Sequence, residues 1–364
     1  MFTELSITSN FTFLTGASHP EEYIRRAATL DLPAIAIADD NSVAGIVRAH
    51  TEARHIMRLV RARQDWDAAN GLIGPPCPAH LPKPQSFPVY NAPRLIPAAR
   101  LVFTDAPPVT VLPTDRTGWG NLCRILSTGR LRTTKGDCDL QLADLLDRSE
   151  GLELLIWPQG DWEPAARQIK THAPNRLHIL LCPHYDGQDS ARFAALTRQA
   201  SALNLPTLAS AAPRMHHGAR RKLADVLTAV RLGRKVDDLG RDALANAEQR
   251  LRSEPEMRHL FQGHEDAVER AYTLGTRLGF SLDQLRYEYP SEGTAQETPA
   301  QRLARLASDG LRWRYPGGAS DKVRAMLHHE LDLISKLKYE PYFLTVRDIV
   351  AFARSRNILC QGRG

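Results

Sequence analysis

The sequence predicts an α/β fold, in which buried strands alternate with helices along the chain. The clearest evidence is the uninterrupted apolar run 34–38, which ends at Asp39, Asp40 and Asn41. Such a run is typical of a strand that is buried on both faces, as in parallel sheets. Helical periodicity follows over residues 42–55, and strand and helix patterns then alternate as far as about residue 211.

The individual elements follow in chain order. Residues 5–8 have the alternation of a short strand, and Ser18 with Glu21 has the spacing of a capping box at the start of a helix that runs to about Leu30. Seven strands are compatible with a closed barrel or an open sheet, and periodicity does not choose between them. The strands predicted after the first two are Arg100–Thr104, Val109–Leu112, Leu152–Trp157, Leu177–Cys182 and Thr207–Ala211.

Two segments depart from this alternation. Eight prolines lie between Pro75 and Pro97, and because proline disrupts both ladders and helix interiors, residues 62–94 are predicted as an exposed insertion loop. A variable surface excursion is favoured over a binding loop. After about residue 219 the spacing becomes helical, with a boundary near residues 287–294. The helices predicted there are 221–232, 246–261, 264–278, 298–313, 321–338 and 343–355.

Composition excludes several classes of protein. The 364 residues have 43% hydrophobic content, a net charge of +6 and a pI near 9.1, which permits a nucleic-acid partner without requiring one. Five cysteines without a CxxC pair argue against a disulfide framework and a cysteine zinc site. No P-loop or GxSxG motif occurs. We expect a cytoplasmic protein, since no signal peptide or membrane span is evident.

Two short motifs carry weak signals of function. The strand-like segment ending in Gly362, Arg363 and Gly364 has the form of a phosphate-contacting loop, although an ordinary glycine turn is favoured on this evidence alone. His216 and His217 suggest a ligand pair, but neighbours on a strand point to opposite faces. A solvated loop is therefore the preferred interpretation of the two histidines.

Several longer segments together resemble a known family. Residues 8–22 resemble the start of bacterial C-family DNA polymerases, relatives of the polymerase III alpha subunit. The error-prone branch in particular is indicated by Asn41–Gly45, Lys135–Cys138, Tyr287–Pro290, Arg314–Gly318, Pro341–Val350 and Cys360–Gly364.

The resemblance implies an organisation and an activity. Residues 1–285 would be a polymerase-and-histidinol-phosphatase (PHP) domain, a distorted (β/α)7 barrel with a helical tail from about residue 219, and residues 286–364 the truncated start of the polymerase palm. The family is expected to perform error-prone DNA synthesis on a primer-template with dNTPs, in damage-induced mutagenesis and translesion synthesis. Gly362, Arg363 and Gly364 would contact the triphosphate.

The resemblance also implies cofactors and partners. Mg²⁺ would be held by paired aspartates that do not occur in these 364 residues, so no catalytic residue and no cofactor is expected within them, and the chain alone is expected to be inactive. A sliding clamp and accessory mutagenesis proteins would bind through a more C-terminal part of the protein. No membrane partner is expected.

PHP domains cluster His, Asp and Glu around two or three metal ions, and here most matching positions have changed. Thr and Asn are feeble ligands, and a guanidinium repels cations, so we expect no metal and no phosphoesterase activity. We expect Arg100 or Arg214 to pair with Asp39 instead. A metal-dependent phosphoesterase and a non-catalytic DNA-binding scaffold are the alternatives. The positions concerned are Thr8, Asn10, Asp39, Asp40, Arg100, His184, Ala212 and Arg214.

Overall fold

In the computed structural model, which describes residues 1–69, 91–286 and 297–361, seven strands form a single sheet. Their spatial order follows their order in the chain, so each connection leads to a neighbouring strand. The predicted α/β fold is confirmed. The strands are β1 (Glu4–Ile7), β2 (Ala34–Asp40), β3 (Arg94–Leu101), β4 (Val109–Pro113), β5 (Leu152–Ile156), β6 (Leu177–Leu181) and β7 (Thr207–Ala209).

One strand runs against the others. β4 is antiparallel to both β3 and β5, whereas the remaining neighbours are parallel. The cause is the connection from β3 to β4, because residues 102–108 are too few for the crossover that a parallel pair needs. The sequence pattern had not indicated this reversal.

The sheet curls until its first strand approaches the segment that follows its last. The buried Glu4 carboxylate of β1 accepts hydrogen bonds from the Ser210 hydroxyl and from the Ala211 N–H at 2.8 Å. The Thr8 N–H donates to the Pro213 carbonyl at 3.0 Å. Side chains also meet across the interior, where the Ser6 and Thr110 hydroxyls of β1 and β4 lie 2.9 Å apart. The sheet is thus a curled barrel held at its seam by Glu4.

The chain divides into two compact units, which we call the barrel unit (Met1–Leu285) and the helical unit (Arg286–Gly364). The helices of the barrel unit are α1 (Pro20–Thr29), α2 (Ile46–Ala69), α3 (Arg116–Leu131), α4 (Leu142–Leu146), α5 (Glu163–His172), α6 (Asp189–Ala202), α7 (Arg221–Leu232), α8 (Glu254–Leu260) and α9 (Glu265–Arg277). Those of the helical unit are α10 (Pro299–Arg314), α11 (Asp321–Leu337) and α12 (Glu340–Ser355).

Several predicted boundaries were wrong, among them that of the helix predicted over 246–261, which begins only at Glu254. Helix α1 is capped one residue later than expected, because Glu22 accepts from the His19 N–H at 2.8 Å and Glu21 pairs with Arg48 instead. Helix α2 continues to Ala69, into the segment predicted as an insertion loop; the rest of that segment up to residue 90 lies outside the described residues. β3 starts at Arg94, six residues before the predicted start, and accommodates Pro97 opposite Ile37.

Burial explains why the sheet holds its shape. β2 is buried on both faces along most of its length, as its apolar run predicts. On the outside, α1 buries Tyr23, Ile24 and Ala27 against it. At roughly 25 cal/mol per Å² of apolar area removed from water, such surfaces supply most of the favourable free energy of folding. The strand ends that carry polar side chains are therefore held by a rigid frame.

Candidate functional site at the barrel mouth

The C-terminal ends of the parallel strands gather the positions that the sequence singled out. Asp39 and Asp40 end β2, Thr8 follows β1, and Arg100 is the penultimate residue of β3. In α/β folds, this edge of the sheet is where ligands bind. We call this edge the barrel mouth, and its residues are Thr8, Asn10, Asp39, Asp40, Arg100, His184, Ala212 and Arg214.

Both carboxylate oxygens of Asp39 accept hydrogen bonds from other groups of the protein. Its side chain is 1% exposed, and one carboxylate oxygen accepts from the Ser9 N–H at 2.8 Å and the Thr12 hydroxyl at 2.9 Å. The other oxygen accepts from the Ser9 hydroxyl at 2.7 Å. Burial raises the pKa of Asp39, and these three donors oppose that rise. Asp39 therefore fastens the loop after β1 to the end of β2.

Asp40 forms the ion pair that was expected at Asp39. Asp40 and Arg100 are register partners on β2 and β3, and the Arg100 Nε–H donates to the Asp40 carboxylate. The Arg100 guanidinium also lies 4.9 Å from the centre of the Trp157 ring. Trp157 in turn donates its indole N–H to Thr110 at 3.0 Å. The prediction of a pair with Asp39 was wrong, because its oxygens already accept from hydroxyl and backbone donors.

Thr8 and Asn10 contribute to the barrel mouth through hydrogen bonds of their backbone groups. The Thr8 carbonyl accepts from the Tyr23 hydroxyl at 3.0 Å, and the Asn10 N–H donates to the Ser18 carbonyl at 2.9 Å. The side-chain oxygen of Asn10 is buried and has no hydrogen-bond partner among the described residues. These positions hold the loop after β1 in place.

Arg214 brings a second cation close to Arg100. In the described part of the chain, its guanidinium forms no hydrogen bond or ion pair, while its carbonyl accepts from the Ala17 N–H at 2.7 Å. Burial lowers the pKa of Arg214, and the charges of Arg100 and Arg231 act in the same direction. Asp39 and Asp40 already accept hydrogen bonds from protein donors, so the positive charge of Arg214 is the less compensated one at the barrel mouth.

The two remaining positions of the barrel mouth are Ala212 and His184. Ala212 has a left-handed backbone (φ 46°) and a methyl side chain. His184 is exposed, and its backbone N–H donates to Asp189 at 2.8 Å.

The residues of the mouth do not fit a two-metal centre. Such a centre needs several carboxylate and imidazole ligands converging on the ions. Here the Asp39 oxygens accept from hydroxyls and an N–H, and Asp40 accepts from a guanidinium. Over residues 1–69, 91–286 and 297–361, no group of three or more His, Cys, Asp or Glu has the placement of a metal site.

Two features were not predicted from the sequence. Glu4 lies outside the strand predicted over residues 5–8, and the signal for its role is an acidic side chain in a strand that is buried along its whole length. His216 and His217 lie in a loop, as predicted, and both line one cavity of about 330 Å³, which the sequence did not indicate. His216 is half-buried, with its Nδ1 atom 2.8 Å from the Ser18 hydroxyl. Gly362, Arg363 and Gly364 lie outside the described residues.

Comparison with known proteins adds independent information. Residues 301–364 match the family of the bacterial DNA polymerase III alpha NTPase domain. The whole chain is 43% identical to an error-prone DNA polymerase from Ruegeria pomeroyi and 41% identical to one from Sinorhizobium medicae. It covers 34% and 30% of those proteins, so it spans about a third of the length of the curated relatives it matches.

Solved structures give a weaker comparison. An amidohydrolase from Chromobacterium violaceum aligns with 59% of this chain and 88% of its own, at 13% identity and a TM-score of 0.36. At that score the alignment carries no argument, and the fold assignment rests on the strand order and the curl of the sheet.

The seven-stranded curled sheet with helices outside it is a distorted α/β barrel, followed in the chain by further helices. The similarity to error-prone DNA polymerases extends over the whole of this chain and about a third of each relative, and residues 301–364 also match the polymerase III alpha family model. No described helix has the length and apolar character needed to cross a membrane.

Proposed function

We propose that this chain is part of an error-prone DNA-directed DNA polymerase that acts in damage-induced mutagenesis and translesion synthesis. The observation that carries the proposal is the 43% identity to an error-prone DNA polymerase over the whole chain. In this reaction the primer 3′-oxygen attacks the α-phosphorus of a dNTP and pyrophosphate leaves. DNA primer-template and dNTPs are the substrates.

The proposal assigns the units different tasks. The barrel unit would be the PHP domain and the helical unit the start of the palm. Gly362, Arg363 and Gly364 would contact the incoming triphosphate, with the Arg363 guanidinium as a charge-assisted phosphate contact. Mg²⁺, a sliding clamp and accessory mutagenesis proteins would be bound through other parts of the polymerase.

The PHP domain itself is proposed to be inactive as a phosphoesterase. The support is the Arg100–Asp40 ion pair, which places a cation where the family resemblance calls for a metal ligand. A fixed positive charge raises the energy of a metal ion beside it, and the neighbouring Asp39 has no oxygen free of a donor. The ion pair between Arg100 and Asp40 would instead have a structural role, in which it joins the ends of β2 and β3 at the barrel mouth.

Two measurements test these proposals separately. The coding sequence directly after Gly364 is expected to continue the phosphate-contacting loop and to lead to paired aspartates, and its gene product is expected to extend a primer across a lesion. A gene product without polymerase activity would contradict the polymerase proposal. A chromogenic phosphatase assay with Mn²⁺ is expected to show no turnover by this chain, and turnover above a buffer blank would contradict the inactive barrel.

A further inference from the structure

A cavity away from the barrel mouth has the chemistry of an anion site. Its volume is about 330 Å³, and it opens between α1 and the segment that follows β7. None of the eight mouth residues lines it. The lining residues are Glu22, Arg25, Arg26, Thr29, His216 and His217.

Two of the charged groups in the lining are already neutralised by protein partners. Glu22 accepts hydrogen bonds from the Arg220 guanidinium and, at 2.8 Å, from the His19 N–H. Arg25 donates to both carboxylate oxygens of Glu52, at 2.8 and 3.2 Å. Neither group leaves an unbalanced charge at the cavity.

Arg26 differs from these two groups in its contacts. Within the described residues its guanidinium forms no ion pair or hydrogen bond, and its Nε atom is buried without an acceptor. Burial lowers the pKa of Arg26, the positive charge of Arg250 acts in the same direction, and the charge of Glu256 opposes them. A half-buried cation without an acceptor is costly unless an anion compensates it. Arg26 therefore gives the cavity a net positive potential.

The two histidines present further donors. The His217 Nδ1 atom accepts from the Ala219 N–H at 3.2 Å, so in the neutral ring the proton sits on Nε2. The Ser18 oxygen accepts from the His216 N–H at 3.0 Å and can donate its own proton to His216 Nδ1 at 2.8 Å. When Ser18 donates to Nδ1 in this way, the neutral His216 ring has its own proton on Nε2. Both rings then have an Nε2–H that no described residue uses.

We propose that this cavity binds a phosphate group, with Arg26 as its charge partner and the Nε2–H groups of His216 and His217 as further donors. A phosphate has several acceptor oxygens directed to different sides, which suits a planar guanidinium and two separate imidazole donors. The group can belong to a free phosphate or to the backbone of DNA. This site is additional to the proposed polymerase function and does not depend on it.

The test is calorimetric titration of the 364-residue chain with inorganic phosphate, and separately with a short single-stranded oligonucleotide that lacks terminal phosphates. Arg26→Gln is expected to weaken binding about tenfold or more, because a charge-assisted hydrogen bond is lost. Arg198→Gln, an exposed arginine of α6, removes the same charge elsewhere and is expected to leave binding unchanged. A response to phosphate identifies a free anion as a ligand, and a response to the oligonucleotide alone identifies the DNA backbone.

A second variant guards against a folding defect. His217 is exposed, so His217→Ala is expected to fold like the parent chain and to weaken binding. The ¹H–¹⁵N imidazole resonances of His216 and His217 are expected to shift during the titration. Equal affinity in the parent chain, Arg26→Gln and His217→Ala, or no response to either titrant, would overturn the proposal.

Discussion

Arg100 and Asp40 are register partners on neighbouring parallel strands, and the guanidinium of Arg100 donates to the carboxylate of Asp40 at the edge where the strands end. The pair sits at two of the positions that the family resemblance assigned to metal ligands. We propose that this protein-supplied cation takes the place of a metal ion at the barrel mouth.

Arg100→Met is predicted to lower the free energy of unfolding by about 1–3 kcal/mol, because it leaves Asp40 without its donor and removes the cation from the Trp157 ring. Urea denaturation at neutral pH measures the loss. Arg132→Met is the control, since Arg132 bonds both oxygens of Asp144 at 2.6 and 2.7 Å at a more exposed place. Its loss should be smaller. An equal decrease in the free energy of unfolding for both variants would show that the Arg100–Asp40 pair stabilises the barrel no more than an exposed ion pair does.

Glu4 is predicted to make the stability of the barrel fall as pH rises. Burial raises the pKa of Glu4 from 4.5 to about 7, against the opposing effect of the hydrogen bonds from Ser210 and Ala211. The folded state then holds a proton that the unfolded state has lost, so stability declines between about pH 4.5 and 7 and levels off above that range. The size of the decline is on the order of 3 kcal/mol.

Glu4→Gln tests this pH dependence, because an amide cannot ionise. Urea unfolding at a series of pH values between 5 and 8 should give a flatter profile for the variant than for the parent chain. Glu150→Gln, at an exposed position, should keep the parent profile. Parallel profiles for Glu4→Gln and the parent chain would contradict a shifted pKa at Glu4.

The sequence predicted β2 and the position of its two aspartates well, because a continuous apolar run ending in acids has few other interpretations. It did not predict the partner of Arg100, since that depends on the register of β2 against β3, which lies outside any single segment. The start of β3 was missed because Pro97 was counted with the preceding prolines. The loop around His216 was predicted, but the partial burial of this side chain was not, because it depends on the contact with Ser18, which is distant in the sequence.

Gly45→Ala is predicted to destabilise the barrel by about 1–3 kcal/mol through overpacking. A Cβ atom at Gly45 would lie 3.0 Å from an Asp39 carboxylate oxygen and 3.0 Å from the Phe11 ring. Gly120→Ala is the matched control, because a Cβ there meets nothing within 4 Å on helix α3. Its thermal midpoint should rise, since alanine favours a helix over glycine by up to about 1 kcal/mol. A fall in both variants would indicate a general intolerance of the barrel to substitution.

The metal content of the purified chain tests the central claim most directly. After incubation with Mn²⁺ or Zn²⁺ and exhaustive dialysis, elemental analysis is expected to find well below one ion per chain, and a chelator should leave the thermal midpoint unchanged. Two or more ions retained per chain, together with a lower midpoint after chelation, would contradict the proposal that the Arg100–Asp40 ion pair takes the place of a metal ion at the barrel mouth.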